Sequence, residues 1–143
     1  MKSIFLDTSS LIKIYHVEEG TNELMNLFSE GKIGQVYLSS VTKVEFYSSL
    51  WKKIRMGEIT LVQMEKFIKQ FESDYTKYNW IEDTELIKSS AIMLLNKYGS
   101  KEGLRTLDSI QLATAITLKL VVKLFKTSDK ILLKLFELEK LPT

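Results

Sequence analysis

Ile4-Phe5-Leu6-Asp7-Thr8-Ser9 decides how the rest of the chain is read. Three apolar residues run unbroken into an acid, and the acid is followed at once by hydroxyl residues and then by a helical spacing of Leu11, Ile12, Ile14 and Tyr15. A strand with no polar alternation is buried on both faces, the mark of a parallel sheet covered by helices on each side. In such sheets ligands bind beyond the carboxyl ends of the strands. Asp7 is therefore expected at the functional edge, and three other acids can be argued to the same place: Glu45, Asp108 and Asp129.

Working outward, a short helix follows Ser9 and stops at the polar break Val17-Glu18-Glu19-Gly20. A second is expected over 21–29, capped by Thr21, with Leu24, Met25, Leu27 and Phe28 on its apolar face. Val36-Tyr37-Leu38 reads as the second strand. From Val41 to Met56 the spacing of Val44, Tyr47, Trp51 and Ile54 predicts a helix with that stripe buried and Glu45 beside it. Leu61, Met64, Ile68, Phe71, Tyr75 and Tyr78 form the seam of the next helix, which calls for a partner helix either within the chain, as an internal hairpin, or across a dimer.

Asn79-Trp80-Ile81 is a brief strand, and a helix follows from Thr84 to Tyr98. Gly99-Ser100-Lys101-Glu102-Gly103 is expected as an exposed loop. Thr106 caps the helix that carries Asp108 in its first turn. Val121 to Phe125 then reads as a strand, and Thr127-Ser128-Asp129 leads into a last helix through Leu132, Leu133, Leu135 and Phe136. The recurring order of strand, acid or hydroxyl, then helix argues for a parallel sheet with crossover helices. No repeat, low-complexity tract or linker interrupts it.

The 143 residues suffice for one well-buried core, and 45% apolar and 27% charged residues are ordinary for a globular chain. There is no cysteine, which excludes disulfides, thiolate metal sites and a cysteine nucleophile. The opening residues meet an acid after three apolar ones, too soon for a secretory leader. No apolar run is long enough to span a bilayer, so no membrane association is expected and the location expected is cytoplasmic. A net charge of +2 does not by itself announce a nucleic-acid partner.

Each acid alone has a bland explanation, since aspartates favour turns and helix starts. Their coincidence at one edge does not. Carboxylates 4 Å apart repel by roughly 4 kcal/mol at a surface-like dielectric, so a cluster of them calls for a cation or protons. An all-oxygen site suits a hard cation, Mg²⁺ or Mn²⁺. The one histidine, His16, lies at the far end of its helix, so zinc chemistry or a serine triad has nothing to be built from. A haloacid-dehalogenase-type phosphatase needs an aspartate where Ser9 stands. A receiver domain wants an acid pair ahead of Asp7, and no glycine-rich phosphate loop follows the first strand.

Leu6-Asp7-Thr8-Ser9, Val44-Glu45, Asp108-Ser109-Ile110-Gln111-Leu112-Ala113-Thr114-Ala115 and Thr127-Ser128-Asp129-Lys130 together resemble the motifs of PIN-domain ribonucleases, above all the VapC-type toxins of toxin-antitoxin pairs. The resemblance implies an α/β fold, a single PIN-like domain over residues 1–143 with a central parallel sheet of four or five strands and helices on both faces. It implies Asp7, Glu45, Asp108 and Asp129 as catalytic and metal-holding acids, with Ser9 and Thr127 as supporting polar residues. The activity implied is Mg²⁺- or Mn²⁺-dependent endonucleolytic cleavage of RNA by a metal-activated water, restrained by a cognate antitoxin. Lys52, Lys53, Arg55, Arg105 and Lys130 are candidates for holding RNA, within a wider set that includes Lys119, Lys123, Lys126 and Lys134. The aromatics Tyr47, Trp51, Phe67, Phe71, Tyr75 and Tyr78 suggest a homodimer. The competing reading is a non-catalytic PIN-fold RNA-binding or scaffold domain. The family's usual last strand is not evident after Asp129.

Overall fold

A computed structural model describes residues 2–143. Strand β1 (Lys2–Leu6) is followed by helices α1 (Thr8–Tyr15) and α2 (Thr21–Ser29), then by β2 (Ile33–Ser39), α3 (Thr42–Arg55) and α4 (Leu61–Asp74). After a 3₁₀ turn at Tyr75–Lys77 come β3 (Asn79–Ile81), α5 (Glu85–Glu102), α6 (Thr106–Thr117), β4 (Leu124–Lys126) and α7 (Lys130–Leu138). The strands form one parallel sheet in the order β3-β2-β1-β4. It is the α/β architecture read from the sequence, with four strands.

β1 is central because it is apolar on both faces. Phe5 joins the core formed with α5, α6 and α7, while Ile4 and Leu6 join the opposite core formed with α1 to α4. All three are fully buried. Register Phe5↔Tyr37 on one side and Phe5↔Phe125 on the other keeps the strand ends level, so the chain leaves β1, β2 and β4 at one edge. At that edge the Asp7 amide donates to the Lys126 carbonyl, continuing the pairing of β1 with β4 by one residue (3.2 Å).

Several sequence expectations are corrected. α3 turns a different stripe inward: Thr42, Phe46 and Leu50 are buried, whereas Val44 and Trp51 are 74% and 48% exposed. Both stripes have helical spacing, and helical period alone does not say which faces the sheet. α5 does not stop at Tyr98 but runs through Gly99 to end at Gly103, which adopts φ 67. Its added turn is tied to α7 by Glu102, paired to Lys134 (2.9 Å), so the expected loop is helix. The fourth strand lies at Leu124–Lys126 rather than from Val121, which is exposed in a turn. Thr21 and Thr106 are not caps. Thr21 is held inside the α1–α2 turn by donating to the Lys13 carbonyl (3.0 Å), and Arg105 precedes α6 with no side-chain cap.

The α3–α4 hairpin packs within the chain, but α4 ends at Asp74, so Tyr75 and Tyr78, expected in its seam, stand in and after the 3₁₀ turn. Phe71 stacks on Phe46 with centroids 3.9 Å apart, and Tyr15, Tyr75, Tyr78 and Trp80 gather round it. Of the six aromatics on which a homodimer was expected, Phe71 is buried and Tyr75 and Tyr78 pack against it, while Trp51 stays 48% exposed. After α7, Leu141 is buried and the Pro142 carbonyl accepts from the Phe125 amide (2.8 Å), so the tail lies along β4 without forming a strand.

Candidate active site

Asp7 caps α1, its Oδ1 accepting from the Ser10 amide (3.0 Å). Two hydroxyls close over the carboxylate: Ser9 Oγ donates to Oδ1 (2.8 Å) and Thr127 Oγ1 to Oδ2 (2.6 Å). Ser9 Oγ in turn accepts from the Ser128 amide (3.0 Å), and Thr127 Oγ1 from the Asp129 amide (3.1 Å). The chain after β1 is thus laced to the chain after β4 through the supporting residues read from the sequence. Asp7 is 4% exposed. Burial pushes its carboxyl up to about 6 against these hydrogen bonds, with the Asp108 charge adding to the rise.

Asp129 caps α7, its Oδ1 accepting from the Leu132 amide (2.8 Å). Asp108 stands in the first turn of α6 and is partly buried. Its carboxyl is raised to about 6, first by burial and then by the charges of Asp129 and Glu45, with the neighbouring Arg105 opposing. Like charges shift one another only at short range, so the four acids, brought from α3, α6 and the ends of β1 and β4, share one electrostatic neighbourhood. Among the described residues no three of them are gathered tightly enough to hold a single ion as placed. The donor set, carboxylates and hydroxyls only, fits a hard divalent cation in chemistry.

Glu45, in the first turn of α3, is held by residues to which the sequence reading gave no role. Its Oε1 accepts from Thr8 Oγ1 (3.0 Å) and from Gln111 Nε2 (2.8 Å). Gln111 also donates to Thr42 Oγ1 (2.9 Å), and the Thr8 and Thr42 hydroxyls lie 3.0 Å apart. One signal existed: Gln111 is an amide inside the apolar run of α6, where a polar side chain needs a partner.

The basic residues separate into two kinds. Lys53 is committed to Glu18 (3.0 Å) and Glu58 (3.3 Å), and Lys134 to Glu102. Lys52 is exposed on a groove of about 310 Å³ that also touches Ser9 and Ser128, while Arg55 and Lys130 are exposed at the end of α3 and the start of α7. A second groove, of about 340 Å³, is lined by Val41, Val44, Ser48 and Leu107 beside Glu45. The exposed Val44 of α3 thus borders the groove beside Glu45. His16 caps the end of α1 against Phe67, away from the acids, as read. No helix among the described residues is long and apolar enough to cross a membrane.

The PIN domain family model matches residues 4–137. Among solved structures, a toxin-antitoxin complex from Klebsiella pneumoniae superposes with a TM-score of 0.58 at 19% identity, over 89% of this chain and 88% of that one. PAE2754 from Pyrobaculum aerophilum superposes with a TM-score of 0.56 at 18% identity, over 93% of this chain and 78% of that one. At such identities the likeness speaks to the fold. No curated protein matches the chain significantly.

Proposed function

The chain belongs to the PIN domain family, and from that premise we propose that it is a divalent-metal-dependent endoribonuclease, the toxin of a VapC-type toxin-antitoxin pair, acting in the cytoplasm as one domain. The observation that carries the reading is the placement of the acids: Asp7 and Asp129 cap the helices that follow β1 and β4, Glu45 and Asp108 stand in the first turns of α3 and α6, and Asp108, raised first by burial, also feels the charges of Asp129 and Glu45. Uncompensated repulsion at a sheet edge is costly unless a cation relieves it. Asp7, Glu45, Asp108 and Asp129 would hold the ion, with Ser9 and Thr127 fixing Asp7. Mg²⁺ or Mn²⁺ supplies, when bound, a water acidic enough to attack a phosphodiester near neutral pH and positive charge for the leaving oxygen.

The remaining work falls to side chains of the chain itself. Thr127 and Ser9 hold Asp7 in one rotamer by donating to both its oxygens. Lys52, Arg55, Arg105 and Lys130 would attract the phosphate backbone, and the antitoxin would compete for the same cleft. The likeness to a toxin-antitoxin complex supports such a partner.

Labelled RNAs incubated with the purified protein test the proposal. Discrete fragments are expected with Mg²⁺, and none with chelator or with Asp129→Asn. The alternative, a PIN fold kept for binding RNA without cutting it, draws on the spacing of the acids, no three of which now meet at one point among the described residues. RNA binding with no fragments, and no uptake of Mn²⁺ in a calorimetric titration, would establish that reading.

A further inference from the structure

Gln111 is only 1% exposed, yet it carries an amide. Its Nε2 has two protons, and the contacts show where they go: one to Glu45 Oε1 at 2.8 Å, one to Thr42 Oγ1 at 2.9 Å, with Thr8 Oγ1 at the longer 3.3 Å. Thr42 can then pass its own proton to Thr8, and Thr8 donates to Glu45. Two protons of this buried group, one from Gln111 and one from Thr8, end on a single carboxylate oxygen, and the others link the group together. Turning the amide round would set its oxygen against Glu45 Oε1, so the carboxylate fixes the amide's orientation.

That orientation has a cost. Gln111 Oε1 is buried without any partner, a loss of about 1–3 kcal/mol for a polar atom of this kind. A leucine of similar volume would avoid it. Retention of the amide is explained by what Nε2 does for Glu45: both donors go to Oε1, and Oε2 keeps no partner among the described residues and is left for the cleft.

We propose that Gln111 is a positioning residue which, with Thr8, saturates Oε1 of Glu45 so that the carboxylate offers Oε2 alone toward the divalent cation. The inference rests on the nuclease reading above. Groups that orient a ligand in this way typically govern metal affinity by ~10–100-fold.

The test is titration of the metal-free protein with Mn²⁺ by calorimetry, beside thermal unfolding without metal, for the native chain and for Gln111→Leu. The expected result is a fall in Mn²⁺ affinity of about ten-fold or more, with metal-free Tm unchanged or higher because the stranded oxygen is gone. Cleavage by Gln111→Leu is expected to show an unchanged KM for RNA and a kcat restored by excess Mn²⁺. Equal Mn²⁺ affinity in the two proteins overturns the inference while leaving the nuclease reading intact, as does a lower metal-free Tm with affinity unchanged. Failure of the native protein to take up Mn²⁺ overturns both. Where Gln111→Leu does not fold, Thr8→Val removes the other donor to the same oxygen at constant size and must lower Mn²⁺ affinity in the same way.

Discussion

The acid cleft and the aromatic cluster are built from the same helices by opposite rules. α1 gives Ser9 to the cleft and Tyr15 to the cluster, and in α3 the adjacent residues Glu45 and Phe46 face one each. In the cluster the rings pack edge to face and the polar tips are satisfied: Tyr15 donates to Asp74 (2.9 Å) and Trp80 Nε1 to the Tyr75 carbonyl (3.0 Å). In the cleft two carboxyls are pushed up to about 6 and an amide oxygen is stranded. Stability is concentrated in one region, and this lets the other hold charges that resist being there.

The largest expected effect lies on the aromatic side. Phe71 is fully buried at the centre of the rings, and Phe71→Ala should cost ~3–5 kcal/mol in denaturant unfolding. Cleavage per folded molecule should hold, and a proportionate loss of activity in the folded fraction would show that the two regions are not separable. On the cleft side the signs reverse. Asp108→Asn should lower the cleavage rate by more than ~10²-fold, beyond what losing a supporting group does, while raising the metal-free melting temperature because a repelled charge is gone. A lower melting temperature in that variant would break the contrast.

The pH dependence of the metal-free protein is the next measure. Burial raises Asp7 from an ordinary 3.8 to about 6, so the folded chain holds this proton more tightly than the unfolded one. The stability Asp7 contributes is full below about pH 4 and is lost as pH rises through about 6, by ~2–3 kcal/mol. Asp108, also raised to about 6, adds its own share over the same window, so Asp7→Asn should reduce the slope rather than abolish it and still cap α1. An identical slope in the variant would assign it elsewhere. The smallest effect falls outside both regions: Gly99 is helical with open space where a Cβ would go, and Gly99→Ala should stabilise by ~0.5–1 kcal/mol with cleavage unchanged.

What the sequence disclosed follows the same division. The edge acids were legible because β1 is apolar throughout and ends in Asp7, and because Asp108 and Asp129 fall in the first turn or at the cap of α6 and α7. β3 was legible at Asn79–Ile81. The inward face of α3 was not, because Val44 and Trp51 repeat as regularly as Phe46 and Leu50. The former are exposed, Val44 on the groove beside Glu45, and the latter line the core, a choice made by tertiary packing. The last turn of α5 hid behind Gly99, since its anchor on Lys134 lies far along the chain. The Thr8–Thr42–Gln111 group joins three distant segments, and periodicity within any one of them carries no trace of it.

The tail beside β4 bears on how the molecule behaves among its own copies. A sheet recruits further strands through an outer row that offers donors as well as acceptors. Pro142 spends its carbonyl on Phe125 and has no amide hydrogen to extend outward. Lateral growth of the sheet is therefore blocked at that flank by an imino acid, a safeguard against aggregation that costs no extra strand.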